Sequence, residues 1–253
     1  MIRPLHPPKT AVIVGASTGI GAALARKLAA QGYQLALVAR RADLLHDVCA
    51  EINQHANQTQ ARPYTHDVLD FAGTPALLQQ ITADLGSLDL FIYNAGAMFP
   101  SHAEKYNADE DIAMLQVNAA GAMAWLSPVA DRMVRAKRGQ IVGIGSIAGD
   151  RGRRGAPGYN ASKAALHTYL EGLRNRVSRF GVTVTTIKPG QVETDMLKNA
   201  EQVRGPISAT RAADLIWSAI HSRKQIAYIP GKWGIISLVL THIPSFVFRR
   251  LNL

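Results

Sequence analysis

Short apolar runs alternate with helical segments along the chain, and this alternation limits the folds that the chain can adopt. The runs predicted as strands are Ala11–Val14, Gln34–Ala39, Ala61–Thr65, Leu88–Tyr93, Gln140–Ile144, Val182–Ile187 and Gln225–Ile229. Helices are predicted near Ile20–Gln31, Asp43–Gln54, Thr74–Leu85, Asp109–Ala136, Pro157–Phe180 and Ala209–His221. Strands separated by helices of this length predict an α/β fold, with a parallel sheet covered by helices on both faces.

Length and composition favour one domain. The chain has 253 residues, 47% of them hydrophobic, and no repeat or linker-like stretch divides it. We therefore predict a single domain over residues 1–253, in which residues 232–253 form an apolar tail. The one cysteine, Cys49, cannot form an intramolecular disulfide, which indicates a reducing compartment such as the cytoplasm. Residues 1–10 contain three prolines and no apolar run, so we expect no secretory signal.

The net charge of +10 fits solubility and attraction to phosphate-bearing ligands. No basic face with interleaved aromatic residues accompanies it, so nucleic acid is not predicted as a partner. The eight histidines show no H-E-x-x-H spacing, and the cysteine is alone, so no metal site is predicted. A G-x-S-x-G elbow is also missing, which argues against hydrolase chemistry.

The first predicted strand runs directly into a glycine-rich turn that leads into a helix. The turn reads Gly15-Ala-Ser-Thr-Gly19-Ile-Gly21. Glycines at such positions let the backbone approach a pyrophosphate, and the helix N-terminus faces the anion with free N–H groups. We therefore predict that a dinucleotide contacts Gly15, Ser17, Thr18, Gly19, Ile20 and Gly21.

The second predicted strand ends in Arg40 and Arg41, where NAD-binding proteins of this pattern usually carry an acid for the ribose 2′-OH. Here the first acid is Asp43. A guanidinium pairs well with a 2′-phosphate, and the hydroxyls of Ser17 and Thr18 add donors. The pattern favours NADP(H) over NAD(H); the alternative is a solvated strand end.

Tyr159 and Lys163 lie four residues apart on a predicted helix and so share one face. A lysine ammonium beside a phenol lowers the phenol pKa from its ordinary value of about 10. Such a tyrosine can donate and accept a proton near neutral pH. The same spacing also occurs by chance on solvated helices, so the pair needs the support of other motifs.

Together these motifs resemble the short-chain dehydrogenase/reductase family, over roughly Thr10 to Gly231. The resemblance implies a Rossmann-type, doubly wound, seven-stranded parallel sheet. It also implies hydride transfer between NADP(H) and a carbonyl or alcohol substrate. The family's Asn-Asn-Ala-Gly motif corresponds to Tyr93-Asn94-Ala95-Gly96, where Tyr93 replaces the first Asn. Its acid–aliphatic pair corresponds to Asp67-Val68, and its Pro-Gly motif to Pro189-Gly190, with Val192 and Thr194 following.

The resemblance also implies roles for the site residues. Tyr159 is expected as the general acid/base, and Lys163 is expected to hold the nicotinamide ribose and to depress the pKa of Tyr159. Ser146 is expected to bind the substrate oxygen, and Asn118 to kink its helix and anchor a water in a proton relay. The further cofactor contacts that the resemblance implies are Asp67, Val68, Asn94, Ala95, Gly96, Pro189, Gly190, Val192 and Thr194.

The chemical properties of these side chains support the same reaction independently of the family resemblance. Hydride addition to a carbonyl leaves an alkoxide, which the Ser146 hydroxyl and the Tyr159 phenol can stabilise and protonate. Two alternatives stay open: a non-catalytic NADPH-binding sensor, and a peripheral-membrane interaction protein on the same fold.

Substrate specificity is predicted to depend on three loops, residues 98–107, 150–158 and 191–206. In the second of these, Arg151, Arg153 and Arg154 either bind an acidic substrate handle or form a solvated basic loop. A homodimer or homotetramer is the family expectation. It would form through the two long helices, where Ala161, Ala164 and Ala165 permit close approach.

The stretch Gly234–Phe248 is almost wholly apolar but shorter than the roughly 20 residues that span a bilayer. At helical spacing, Ser237, Thr241, Ser245 and Arg249 form a narrow polar stripe opposite a broad apolar face. The segment either lies in a membrane interface through residues 233–250, packs on a partner subunit, or caps the substrate pocket. Each alternative suits an apolar, lipid-like substrate.

Overall fold

The computed structural model describes residues 9–100, 104, 106–200, 203 and 205–251. Its main sheet contains β1 (Thr10–Val14), β2 (Gln34–Ala39), β3 (Ala61–Thr65), β4 (Leu90–Tyr93), β5 (Gly139–Ile144), β6 (Val182–Pro189) and β9 (Ile226–Ile229). These seven strands are all parallel, in the order β3-β2-β1-β4-β5-β6-β9, which confirms the predicted fold class. Two short strands, β7 (Val192–Glu193) and β8 (Ile207–Ser208), pair separately.

Helices connect the strands, and further helices follow the last strand. They are α1 (Gly19–Ala30), α2 (Ala42–Ala56), α3 (Thr74–Leu85), α4 (Ala108–Leu115), α5 (Gly121–Ala136), α6 (Pro157–Val177), α7 (Ala209–His221), α8 (Lys232–His242) and α9 (Ser245–Phe248). A π-helical segment, Gln116–Ala120, joins α4 to α5, where the sequence analysis predicts one helix over Asp109–Ala136 with a kink at Asn118.

Alternate strand residues project to opposite faces of the sheet, and each face has its own core. Ile13 packs on one side with Leu24 of α1 and Ile216 of α7. Val12 packs on the other side with Trp125 of α5 and Leu170 of α6. The strands are therefore buried on both faces, which is why their sequences are continuously apolar rather than alternating.

The stretch Ala108–Ala136 has a mean hydropathy of 1.3 over its most apolar part and is long enough to cross a membrane by length and composition alone. Within it, Trp125, Leu126 and Val129 are completely buried against the sheet. The protein core thus accounts for part of this apolar character, while Ile112, Leu115 and Met123 of the same stretch are exposed.

The strand order positions the site. β1 lies between β2 and β4, so the chain winds away from β1 in both directions. In open α/β sheets of this kind, ligands bind in the crevice at the carboxyl ends of the strands, at the point where the order reverses. Val14 and Tyr93, the last residues of β1 and β4, are register partners at this point.

Candidate active site

The glycine-rich turn leaves the carboxyl end of β1 at the crevice. Gly15 has φ of 87°, and a Cβ on it would lie 2.5 Å from the backbone nitrogen of Ala95. Asn94 Nδ2 donates a hydrogen bond to the Gly15 carbonyl at 2.7 Å, which ties β4 to the turn. The first turn of α1 has neither an acidic residue nor a side-chain cap. Its free N–H groups and positive dipole end therefore suit the pyrophosphate of a dinucleotide.

The two arginines after β2 occupy different places. Arg41 Nη2 lies 2.7 Å from Thr18 Oγ1 and 3.4 Å from Ser17 Oγ. Arg40 is exposed, and its Nη1 lies 3.7 Å from Asp67 Oδ2. A guanidinium and two hydroxyls therefore meet beside the glycine turn, a donor set that suits a phosphate group.

Asn118 is completely buried within the π-helical segment. Its Oδ1 accepts from the Ala97 N–H at 2.7 Å, and its Nδ2 donates to the Ala97 carbonyl at 2.9 Å and to Ser162 Oγ at 2.9 Å. The buried Tyr93 hydroxyl donates to the Val117 carbonyl at 2.7 Å, one residue before Asn118. Tyr93 therefore satisfies a backbone carbonyl inside the irregular segment, a contact that the sequence analysis missed. Its only signal in the sequence was the departure from the family motif.

Ser146, Tyr159 and Lys163 are buried near the carboxyl end of β5. Lys163 Nζ donates to the Ile144 carbonyl at 3.1 Å and lies 5.8 Å from the centre of the Tyr159 ring. Ser146 Oγ accepts from the Ala148 N–H at 3.1 Å. Gly96 lies against both Asn118 Oδ1 and Lys163 Nζ, so the helix asparagine and the lysine meet at the end of β4.

The pKa of Tyr159 differs from the expectation. Burial raises the pKa of Tyr159 above its ordinary value, and the Ser146 hydroxyl and the positive charge of Arg153 only oppose this change. Burial also lowers the pKa of Lys163 to about 8. Loss of water around the phenol therefore has a larger effect on the pKa of Tyr159 than the groups that lower it. The influence of Arg153 on Tyr159 was not foreseen from the sequence.

The Pro-Gly motif closes the crevice from another side. Pro189 ends β6, and the Gly190 N–H donates to the Ile229 carbonyl at 2.9 Å. The indole of Trp233 covers Gly190 so closely that a Cβ there would lie 1.9 Å from Trp233 Nε1. Buried Val192 belongs to β7, and the methyl group of Thr194 lies beside Gly19 of the glycine turn.

Apolar side chains surround the Tyr159 phenol. Tyr159 shares a small cluster with Met114 and Ala148, and Met196 Sδ lies 4.0 Å from its hydroxyl. The other apolar residues that pack against this cluster are Met98, Phe99 and Ala156. Methionine side chains adapt readily to an apolar ligand. Residues 101–103, 105, 201, 202 and 204 of the loops predicted to select substrate lie outside the described residues, as do residues 1–8 and 252–253.

The carboxylate of Asp150, which is buried, lies on the segment that follows β5 and carries Ser146. Lys188 Nζ lies 2.5 Å from its Oδ1, the Tyr228 hydroxyl donates to its Oδ2 at 2.9 Å, and Ser237 also donates to Oδ2. Burial alone raises the pKa of Asp150, but hydrogen bonds from His167, Lys188 and Ser237 together hold it well below its usual value. The residue is therefore a buried anion with several donors.

His167 connects this anion to Ser146. Its Nδ1 lies 3.5 Å from Asp150 Oδ1, and its Nε2 accepts from the Ser146 N–H at 3.3 Å. Burial lowers the pKa of His167, more than Asp150 raises it, which favours the neutral ring that this geometry requires. The backbone of Ser146 is thereby linked through His167 and Asp150 to Ser237 of α8.

Arg151 has a structural partner that its sequence context did not indicate. Its Nη1 donates to the Leu240 carbonyl and, at 2.6 Å, to the Ile243 carbonyl, and its guanidinium lies 3.9 Å from the centre of the Phe248 ring. Arg151 therefore binds the carbonyl end of α8, a role that neither alternative of the sequence analysis included. Arg154 is exposed and lies 4.0 Å from Glu104.

The arrangement is that of an oxidoreductase with a dinucleotide crevice beside a buried phenol. Residues 9–205 match the sequence profile of the short chain dehydrogenase family, and the chain belongs to this family.

Known proteins show the same likeness. The chain is 37% identical over 188 residues to an uncharacterized oxidoreductase of Myxococcus xanthus, with 74% of each chain covered. The crystal structure of levodione reductase superposes with a TM-score of 0.81 at 26% identity, over 88% of this chain and 96% of that chain. An actinorhodin polyketide ketoreductase variant with NADPH has a TM-score of 0.81 at 23% identity, over 90% of this chain and 97% of that chain, and it shares the fold.

Proposed function

We propose that the protein is an NADP(H)-dependent reductase that interconverts an apolar ketone or aldehyde and its alcohol. The observation that carries this proposal is the group formed by Ser146, Tyr159, Lys163 and Asn118, all buried beside the dinucleotide crevice. The apolar surroundings of the Tyr159 hydroxyl support an apolar substrate. Since the fold is shared with proteins of other substrates, this site and not the fold supports the activity.

When bound, NADPH supplies the hydride, and the protein supplies binding, orientation and a proton. The Ser146 and Tyr159 hydroxyls would bind the carbonyl oxygen and stabilise the charge that develops on it. Tyr159 would then transfer its proton to that oxygen as the alcohol forms. The pKa of Tyr159 lies above its ordinary value, so the phenol carries its proton at neutral pH and can act as the donor.

Lys163 and Asn118 would support the proton transfer. A protonated Lys163 stabilises the phenolate that remains on Tyr159 after its proton has left. Asn118 binds Ala97 through both the oxygen and the nitrogen of its side-chain amide, and the nitrogen also donates to Ser162 Oγ. Ser162 Oγ in turn donates to the Tyr159 carbonyl at 2.8 Å. Asn118 therefore connects the loop after β4 to the helix that carries the acid/base pair.

The NADP(H) preference rests on Arg41, Ser17 and Thr18. These residues would hold the 2′-phosphate, while the glycine turn and the α1 N-terminus would hold the pyrophosphate. Arg40 and Asp67 would lie at the adenosine, where their ion pair can open to the cofactor.

Assembly and location belong to the same proposal. A homodimer or homotetramer through the faces of α5 and α6 is supported by exposed Ala161 and partly buried Ala164 and Ala165, which leave room for a close neighbour. We place the protein in the cytoplasm, with its membrane contact considered below.

The replacement Tyr159→Phe tests the mechanism. It removes the proton donor, and we expect turnover of ketones and aldehydes to fall by about 10²–10⁴-fold, while NADPH still binds. Tyr33→Phe is the matched control, because Tyr33 is as buried as Tyr159 (8% exposed each) but packs on Trp217 at the other face of the sheet. The assays are NADPH oxidation with aldehydes and ketones of increasing chain length, and NADPH fluorescence for binding. Wild-type rates in Tyr159→Phe would overturn the mechanism.

The same substrate panel separates the enzyme from a sensor. A chain that binds NADPH but reduces no member of the panel would favour the non-catalytic alternative. Faster turnover with charged keto acids than with long apolar ketones would contradict the proposed substrate class.

A further inference from the structure

The C-terminal helix α8 buries Ser237 against the protein and exposes large apolar side chains to solvent. Ser237 is buried and donates to Asp150, and its Oγ lies 3.2 Å from the Tyr228 hydroxyl. Ile235, Leu238 and Val239 face solvent with 71%, 61% and 59% of their surface exposed. This orientation is the reverse of that expected for a surface helix of a soluble protein.

The orientation is held from both ends, so α8 cannot turn its apolar face towards the protein without losing these contacts. Trp233 covers Gly190 near the start of the helix. Arg151 binds the carbonyls of Leu240 and Ile243 at its end and stacks on Phe248 of α9. The segment also presents exposed Phe246 to solvent. Ile235, Leu238 and Val239 lie at the i, i+3 and i+4 spacing of one helix face, and an exposed apolar face held in this way marks an interaction site.

The charge around this surface indicates what covers it. Residues 215–253 contain no Asp or Glu, but they contain Arg223, Lys224, Lys232, Arg249 and Arg250. Lys232 shares the outward face with Ile235 and Val239, at the i, i+3, i+7 spacing of one helix face. Lys232, Arg249 and Arg250 are exposed. The apolar surface is therefore bordered by cations at its two ends, without an acidic residue in the segment.

A second copy of the chain is disfavoured by this charge pattern. A two-fold interface brings the same patch of each copy against itself, so the cations of the two segments would approach one another. A bilayer with anionic headgroups instead attracts every one of them, and its acyl chains take up the apolar face.

We propose that the outward face of α8 and α9 docks in the plane of an anionic lipid bilayer. The 11 residues of α8 extend for roughly 16 Å, about half of the hydrocarbon thickness, so the helix lies in the interface and does not span it. Ile235, Leu238, Val239 and Phe246 enter the acyl region, and Lys232, Arg249 and Arg250 contact headgroup phosphates. This docking does not depend on the proposed function, since none of these side chains belongs to the candidate active site.

The test is co-sedimentation of the full chain with vesicles of phosphatidylglycerol and phosphatidylcholine, compared with vesicles of phosphatidylcholine alone. We expect binding to the anionic vesicles that weakens with added salt and is much weaker on neutral ones. The double replacement Ile235→Ser with Val239→Ser should lower the partition coefficient at least about tenfold, because it removes the apolar face. Lys232→Glu with Arg250→Glu should lower binding to anionic vesicles only.

The matched control is Ile112→Ser, which changes an isoleucine of α4 that is 53% exposed and far from α8 in the chain. It should bind vesicles like the wild type. The replaced residues are exposed, so all variants should keep NADPH binding and their melting temperature. Vesicle binding that is absent in the wild type, or unchanged in the Ile235/Val239 double variant, would overturn the proposal. So would a fall in the molar mass of that variant in solution, which would show that a second copy covers the face.

Discussion

Replacement of Asp150 by Asn removes one charge from a buried ion pair while it keeps the shape of the side chain. The Asp150 side chain is 7% exposed and its partner Lys188 is 13% exposed, with 2.5 Å between the charged atoms. The change leaves a buried ammonium without its counter-ion, which typically costs about 3–5 kcal/mol. For a protein of this length, such a loss lowers the melting temperature by roughly 6–20 °C.

The dependence on pH gives the sharper measurement. The folded protein holds the Asp150 proton more weakly than the unfolded chain, because its folded pKa lies below the ordinary value of 3.8. The carboxylate therefore stabilises the fold above that pH, and its contribution is lost as the pH falls towards the folded pKa. In urea titrations, wild type and Asp150→Asn should differ most near pH 6–7 and converge in acid.

A second replacement tests whether the loss of stability in Asp150→Asn comes from the unpaired charge of Lys188 or from general disruption of the packing. Lys188→Met with Asp150→Asn removes both charges, so the double variant should be more stable than Asp150→Asn alone. Asp150→Asn with a wild-type melting temperature, or a double variant that loses the sum of the two single effects, would refute the reasoning.

Arg41→Ala removes a charge-assisted contact of about 1.5–3 kcal/mol, so KM for NADPH should rise about 10- to 150-fold while KM for NADH stays nearly unchanged. Equal changes for both cofactors would contradict the 2′-phosphate assignment. Tyr93→Phe removes the hydrogen bond to the partly buried Val117 carbonyl, so urea denaturation should show a loss of about 0.5–1.5 kcal/mol. Gly190→Ala places a Cβ 1.9 Å from Trp233 Nε1, and the displaced indole should change the tryptophan fluorescence. An unchanged spectrum would mean that Trp233 does not cover Gly190 in solution.

The regular elements could be predicted because each depends on a local pattern. Strands β2 and β3 and helices α3 and α7 have the predicted bounds. In each, the apolar run or the helical periodicity of the sequence ends at the residue where the strand or helix ends in the structure. The glycine turn could likewise be placed between β1 and α1, because its context is defined by the sequence neighbours alone.

The remaining features depend on residues that are distant in the chain. The π-helical segment forms beside Tyr93, which donates to Val117 from another strand. The inward face of α8 is set by Asp150, 87 residues before Ser237. The pKa of Tyr159 reflects how completely the folded protein excludes water from the phenol, which residue spacing does not reveal.

The contacts of the C-terminal segment have a consequence for how relatives of this protein diverge. The family match ends at residue 205, yet Trp233 and Ser237 reach back to Gly190 and Asp150 within it. Substitutions in the last two helices alone can therefore shift the loops near Tyr159 and Lys163. Two members of the family with the same residues up to position 205 can in this way differ in the substrate they accept.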